Sequence, residues 1–171
     1  MILAAAILLA ACNNETPKDN AGKKDMSMSY TESKTERNKK AVMESMAGIN
    51  AHSAVEALKN STADGIDYGD GNNPPVKGMD SLKASIQAFL DAFPDYHGDN
   101  ISYMADGDQV VVLANWSGTF KKDLWGMKAT GKSFKLKDAD VFTLNADGKI
   151  TEHRQIQSMG PVFASLGVPM K

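Results

Sequence analysis

The chain is 171 residues long, 42% hydrophobic and 23% charged, with 19 Lys and Arg against 21 Asp and Glu, a formal charge of −2. That supports one core of ordinary domain size, and the absence of a basic excess argues against a nucleic-acid partner. The lone cysteine, Cys12, excludes an internal disulfide, and His52, His97 and His153 lie far apart with no ligand-spaced companion, so neither a metal nor another cofactor is expected.

Met1 to Ala11, MILAAAILLAA, is apolar throughout and too short to span a bilayer. It reads as the apolar stretch of a secretory signal. It ends in Leu9-Ala10-Ala11-Cys12, which resembles the lipobox of bacterial lipoproteins. The resemblance implies a signal peptide over residues 1–12, lipidation of Cys12 and a membrane anchor in the cell envelope. No Lys or Arg follows Met1, a departure from the usual positive start. Asn13, in place of the Asp that favours inner-membrane retention in enterobacteria, points to the outer membrane facing the periplasm. Residues 13–38 are polar and mixed in charge, with almost nothing to bury, and read as a flexible tether. About 24 such residues reach roughly 25–30 Å. The domain is expected over 39–171.

Helical periodicity runs from Thr35 to about Asn60, with Val42, Met46 and Ile49 on one stripe. Gly48 and Asn50 are expected to break it, Asn50 capping a short second helix through Leu58. Residues 63–70 read as a strand and 69–75, GDGNNPP, as a loop. Leu82, Ile86, Phe89, Leu90 and Phe93 give the clearest helix, with Asp80 favouring its start and Pro94 stopping it. Strands follow over 97–104, 109–119 and 133–144, with hairpin turns at 105–108 and 145–148 and a long loop over 120–132. A fourth strand runs toward Gln157. Pro161 and Gly167 frame a last helix. Helices first and a meander of strands after them predict an α+β fold.

Several pieces carry a resemblance. Val76-Lys77-Gly78 precedes an amphipathic helix that ends in Phe93-Pro94-Asp95. Gly107-Asp108, Trp116-Ser117-Gly118-Thr119, Ala129-Thr130-Gly131-Lys132 and Asp147-Gly148-Lys149-Ile150 follow, with Glu152-His153 close behind. In this order they resemble the SnoaL-like, polyketide-cyclase-like branch of the NTF2-like superfamily over about residues 40–168. The resemblance implies a cone: a strongly curved sheet wrapped round helices, with an apolar cavity and, in many members, a homodimer through the convex face. It implies no single reaction, because cyclases, isomerases and non-catalytic binders share the fold. Arg154, Gln155 and Gln157 depart from the cyclase pattern, and glutamine cannot serve as a general base.

Phe134, Leu136, Asp138, Asp140, Phe142 and Leu144 fall on one face of the third long strand. Two carboxylates in an apolar row suggest a base, Asp140 or Asp138, working with His153 or His97 on carbon next to a carbonyl. They also suit plain pairing with Arg154 or a backbone N–H. On the last strand, Thr151, His153, Gln155 and Gln157 alternate with Ile150, Glu152, Arg154 and Ile156. The first set has the polarity of a pocket wall and the second suits a convex face; a bulge would reverse the frame. Trp116 reads as core or cavity base, Trp125 and Met127 as a lid or a packed loop, and Tyr68 and His97 as rim or pocket groups. Two readings stay open: a membrane-anchored binder of a small apolar carbonyl- or hydroxyl-bearing molecule, and an isomerase- or cyclase-like enzyme using Asp140 and His153. A domain for dimerisation or envelope assembly is a third.

Overall fold

The computed structural model describes residues 32–168; the expected signal peptide, Cys12 and all of the expected tether up to residue 31 lie outside the described residues. Helix α1 (Lys34–Asn50) starts ahead of the expected boundary at residue 39. Ser33 caps it by accepting a hydrogen bond from the Glu36 N–H at 3.2 Å. Asn38, assigned to the tether from sequence, is fully buried and donates to the Gly107 carbonyl. Helix α2 (Ala54–Leu58) is capped by Ser53 rather than Asn50. Asn50 instead clamps Gly98 through both its amide nitrogen and its oxygen, at 3.1 and 2.9 Å.

Strand β1 (Ser61–Asp67) and the two-residue β2 (Val76–Lys77) pair antiparallel. Helix α3 (Met79–Ala92) carries the expected apolar stripe, with Leu82 and Leu90 buried. The long strands β3 (His97–Asp106), β4 (Gln109–Thr119), β5 (Ser133–Leu144) and β6 (Ile150–Gln155) follow, and α4 (Gly160–Ser165) closes the domain. The sheet order is β2-β1-β6-β5-β4-β3, and all pairings are antiparallel except β1 with β6. This is the α+β architecture expected, a curled six-stranded sheet holding helices against one face.

The core lies between that face and the helices. Val110, Val112 and Trp116 from β4 and Phe134, Phe142 and Leu144 from β5 meet Val42 and Met46 of α1 and Phe93 beyond α3. Burying a side chain of this size contributes about 1.5–3 kcal/mol. Gly98 is required by contact: a Cβ there would lie 2.4 Å from the Trp116 ring, which lies flat across the glycine.

One irregularity decides the facing of β6. Thr143 pairs with Glu152 but Leu144 pairs with Ile150, so Thr151 is an extra residue in a bulge. Ile150 therefore turns inward into the core with His153, instead of outward with Glu152 and Arg154 as simple alternation predicts.

Candidate functional site

A cavity of about 970 Å³ opens between the concave sheet and the helices. Its apolar walls come from Met46 and Ile49 of α1, Leu82, Ile86 and Phe89 of α3, and Leu136 and Phe142 of β5. Its base is aromatic. Tyr96 stacks on Trp116 with ring centroids 5.1 Å apart and meets Phe89 edge-on at 4.9 Å. Trp116, buried to 4% exposure, is thus both core and cavity base.

The polar end is organised around His153. Its Nδ1 lies 2.9 Å from Asp67 Oδ1 and its Nε2 lies 3.1 Å from Asp140 Oδ1. Parallel pairing of β1 with β6 sets Asp67 beside His153, and β5 brings Asp140 to the other side. Burial opposes a charge on the ring, but the hydrogen bonds and charges of the two aspartates prevail and push its pKa up to about 10. For Asp67, burial works against ionisation too. The His153 hydrogen bond and charge, with the Gly69 N–H, hold its carboxyl below the usual value. Asp140 is 9% exposed and lines the cavity; its second oxygen has no protein donor among the described residues.

Asp138 shares the inward face of β5 but stands behind the wall and does not line the cavity, contrary to the expectation of direct ligand contact. It accepts from the Gln155 amide at 2.5 Å, the Gln157 N–H at 3.0 Å and the Ala139 N–H at 2.7 Å. Burial, with Asp140 nearby, nonetheless raises its pKa. Asp138 orients Gln155, which does line the cavity. Gln157 does not: it is exposed, and its amide donates to the Lys137 carbonyl after β6 has ended. His97 is a second correction, since its ring is solvent-exposed and pairs with Asp99 at 3.2 Å. It begins β3 on the outward side because the neighbouring Gly98 must face Trp116.

Tyr68 lines the cavity and carries the Arg154 guanidinium 3.6 Å from its ring centroid. Trp125 and Met127 lie along the mouth, in a tight turn closed by the Leu124–Met127 bridge. Trp125 is 61% exposed and faces Phe89 with centroids 6.4 Å apart. Its φ of +46°, next to Gly126 at +80°, puts a bulky residue in the left-handed region. Asp67 and Tyr96 were missed in the sequence. Asp67 gains its meaning from a parallel pairing across 86 positions, and Tyr96 from the Trp116 ring beneath it. Burial and the charges of Asp140 and Asp138 hold the Tyr96 hydroxyl well above its ordinary pKa. Among the described residues, no group of three or more His, Cys, Asp or Glu is placed to hold a metal ion.

A profile of the SnoaL-like polyketide cyclase family matches residues 40–164. No curated protein matches the chain in sequence. Similar solved structures include a SnoaL-like protein of Jannaschia sp., proposed as a polyketide cyclase. It is 20% identical with a TM-score of 0.72, over 82% of this chain and 98% of that one. A Streptomyces galilaeus protein proposed as a hydroxylase is 25% identical with a TM-score of 0.64, covering 78% and 82%. A Catenulispora acidiphila protein with a ketosteroid isomerase-like fold, solved with trimethylamine, is 17% identical with a TM-score of 0.63, covering 75% and 93%.

Proposed function

The chain belongs to the SnoaL-like polyketide cyclase family, and from that premise we propose that it binds a small apolar carbonyl compound in its cone and moves a proton at the carbon beside the carbonyl. The observation that carries this reading is the free oxygen of Asp140, held at the cavity wall by His153 while Asp67 holds His153. Asp140 takes the proton and becomes a neutral acid. The electron pair of the C–H bond passes into an enolate, whose oxygen accepts a hydrogen bond from Tyr96. Returning the proton at another carbon gives an isomerase. Attack of the enolate carbon on a second carbonyl, with Asp140 protonating the new alkoxide, gives an aldol cyclase. Nothing is oxidised or reduced. His153 is a positioning residue here, because both its nitrogens are engaged by aspartates.

The test is deuterium exchange at the methyl carbon of 1-acetonaphthone in D2O, followed by NMR with the full chain. Exchange above the buffer rate is expected, and Asp140→Asn should abolish it while leaving the ketone bound, since the substitution keeps the shape and removes the base. Wild-type exchange in Asp140→Asn would show that Asp140 is not the base. Binding without turnover is the second reading, favoured by Gln155, a cavity-lining amide that cannot act as a base. Saturable binding with no exchange by the wild type would select it.

The chain is proposed to work tethered to the envelope membrane through lipidated Cys12, at the outer membrane facing the periplasm, and to pair as a homodimer. Leu9-Ala10-Ala11-Cys12 supports the anchor; half-buried Val111, Leu113 and Val141 on the outer sheet face support the dimer. Fatty-acid labelling should disappear in Cys12→Ser, and labelling that survives the substitution would refute the anchor.

A further inference from the structure

The charge of the cavity bears on what can enter it. Among the described residues, its lining includes the acidic residues Asp67, Asp70, Asp140 and Glu152, the last on the outward face of β6, but no lysine or arginine, and His153 is the one basic group. Glu152 has Arg154 at 3.8 Å. Asp70, at the rim, accepts from the Met159 N–H and the Ser158 hydroxyl without losing its charge. Asp67 and Asp140 share the single positive charge of His153, so that trio keeps a net negative charge. The cavity is thus an anionic space enclosed by apolar and aromatic walls.

Several of the polar atoms left free around His153 are acceptors. Both protein donors to Asp67, His153 and the Gly69 N–H, fall on its Oδ1. Its Oδ2, like that of Asp140, has no protein donor among the described residues. Asp140 itself is nine-tenths buried and lines the cavity. The Gln155 amide nitrogen is taken by Asp138 and by the Met159 sulfur at 3.2 Å, and its carbonyl oxygen has no protein partner among the described residues. The Thr151 hydroxyl gives its proton to the Thr143 carbonyl. The same cavity is lined by the rings of Phe89, Tyr96, Trp116 and Trp125.

We infer that the cone selects an apolar molecule that also carries a protonated amine, with the ammonium on the free oxygen of Asp67 and the apolar body against the aromatic wall. This rests on the preceding reading of the cavity as a ligand site, and adds the charge of the ligand. An ammonium brings donors to these acceptors, and the ring faces attract it. A carboxylate would meet like charge in a space where water screens poorly, and the one lining cation, His153, has both ring nitrogens engaged by aspartates. The arrangement also separates two tasks across the width of one imidazole, the amine at Asp67 and the reacting carbon at Asp140. Proton abstraction moves negative charge from Asp140 to the substrate without adding any, and a nearby ammonium favours the enolate.

The test uses three probes with one ring system: 1-naphthylmethylamine, 1-acetonaphthone and 1-naphthoate, titrated by calorimetry against the full chain at pH 7 and two salt concentrations. The amine is expected to bind about tenfold or more tighter than the carboxylate, with the gap narrowing as salt rises. Asp67→Asn should shrink the gap to about threefold or less. The wild-type series stands without any variant, should Asp67→Asn fold poorly. A carboxylate that binds as tightly as the amine overturns the inference while ketone binding and exchange leave the proposed function intact. A persistent tenfold gap in folded Asp67→Asn overturns the assignment to Asp67. Failure of all three probes to bind overturns both readings.

Discussion

An imidazole with a carboxylate oxygen near each nitrogen has one protonation state that satisfies both contacts, the doubly protonated one, in which each N–H donates. For His153 this ties the ring to the fold with a definite sign. Its folded pKa, near 10, stands above the ordinary 6.5. The stabilisation is therefore full below 6.5 and is lost as pH rises through about 10. Asp67 works in the opposite sense: its folded pKa lies below 3.8, so its contribution is present above 3.8 and is lost on further acidification. Together they favour the folded chain between mildly acidic and mildly alkaline pH. The expected NMR signature is a His153 ring that stays an imidazolium through pH 8.5, well after a free histidine has titrated. Replacing it by Leu leaves two aspartates unpaired. That should cost about 3 kcal/mol in urea unfolding, the lower end of the usual range for a broken buried pair because the ring is 27% exposed. His153 and Asp140 were legible because alternation marks which face a residue joins. Asp67 was not, because no local pattern announces a parallel partner 86 residues away.

At the scale of elements, the start of α1 defines where the domain begins. Ser33 supplies the cap, Lys34 pairs with Asp108, and Asn38 reaches the β3–β4 turn at Gly107. A chain starting at Glu32 should unfold with nearly the midpoint of the full chain, since the polar stretch before it offers no periodic apolar face. One starting at Lys39 should lose more than about 2 kcal/mol, because it removes the cap, the first turn and a buried amide together. Denaturant titration of the two truncations separates these outcomes. The sequence boundary fell late because Thr35, Glu36, Arg37 and Asn38 look like solvated polar residues, and a polar side chain buried to satisfy a distant carbonyl has no periodic signature. Strands β4 and β5 were readable to their end residues, since long alternating runs between Gly-containing turns admit one register. The facing of Ile150 at the start of β6 was not: the bulge at Thr151 inserts one residue, and alternation has no way to announce it.

Across the whole molecule, curling the sheet joins β1 to β6 and turns a row of strand residues into the wall of a cavity. The expectation of a cone came from order and family resemblance; the depth of each side chain within it did not, which is why Gln157 and His97 were placed at the wall and lie outside. Trp125 marks the mouth. Replacing it by Ala should weaken 1-acetonaphthone binding several-fold in calorimetry with little change in unfolding midpoint, because the ring is already 61% exposed and its backbone conformation is strained. The sequence contains two tryptophans, and they stand at opposite ends of the same cavity, Trp116 at the closed base and Trp125 at the open mouth. The protein thus carries its own pair of optical reporters. Acrylamide should quench the red-shifted emission of Trp125 first and leave a blue-shifted remainder from Trp116. A molecule entering the cone would then disclose its depth by which of the two colours it changes.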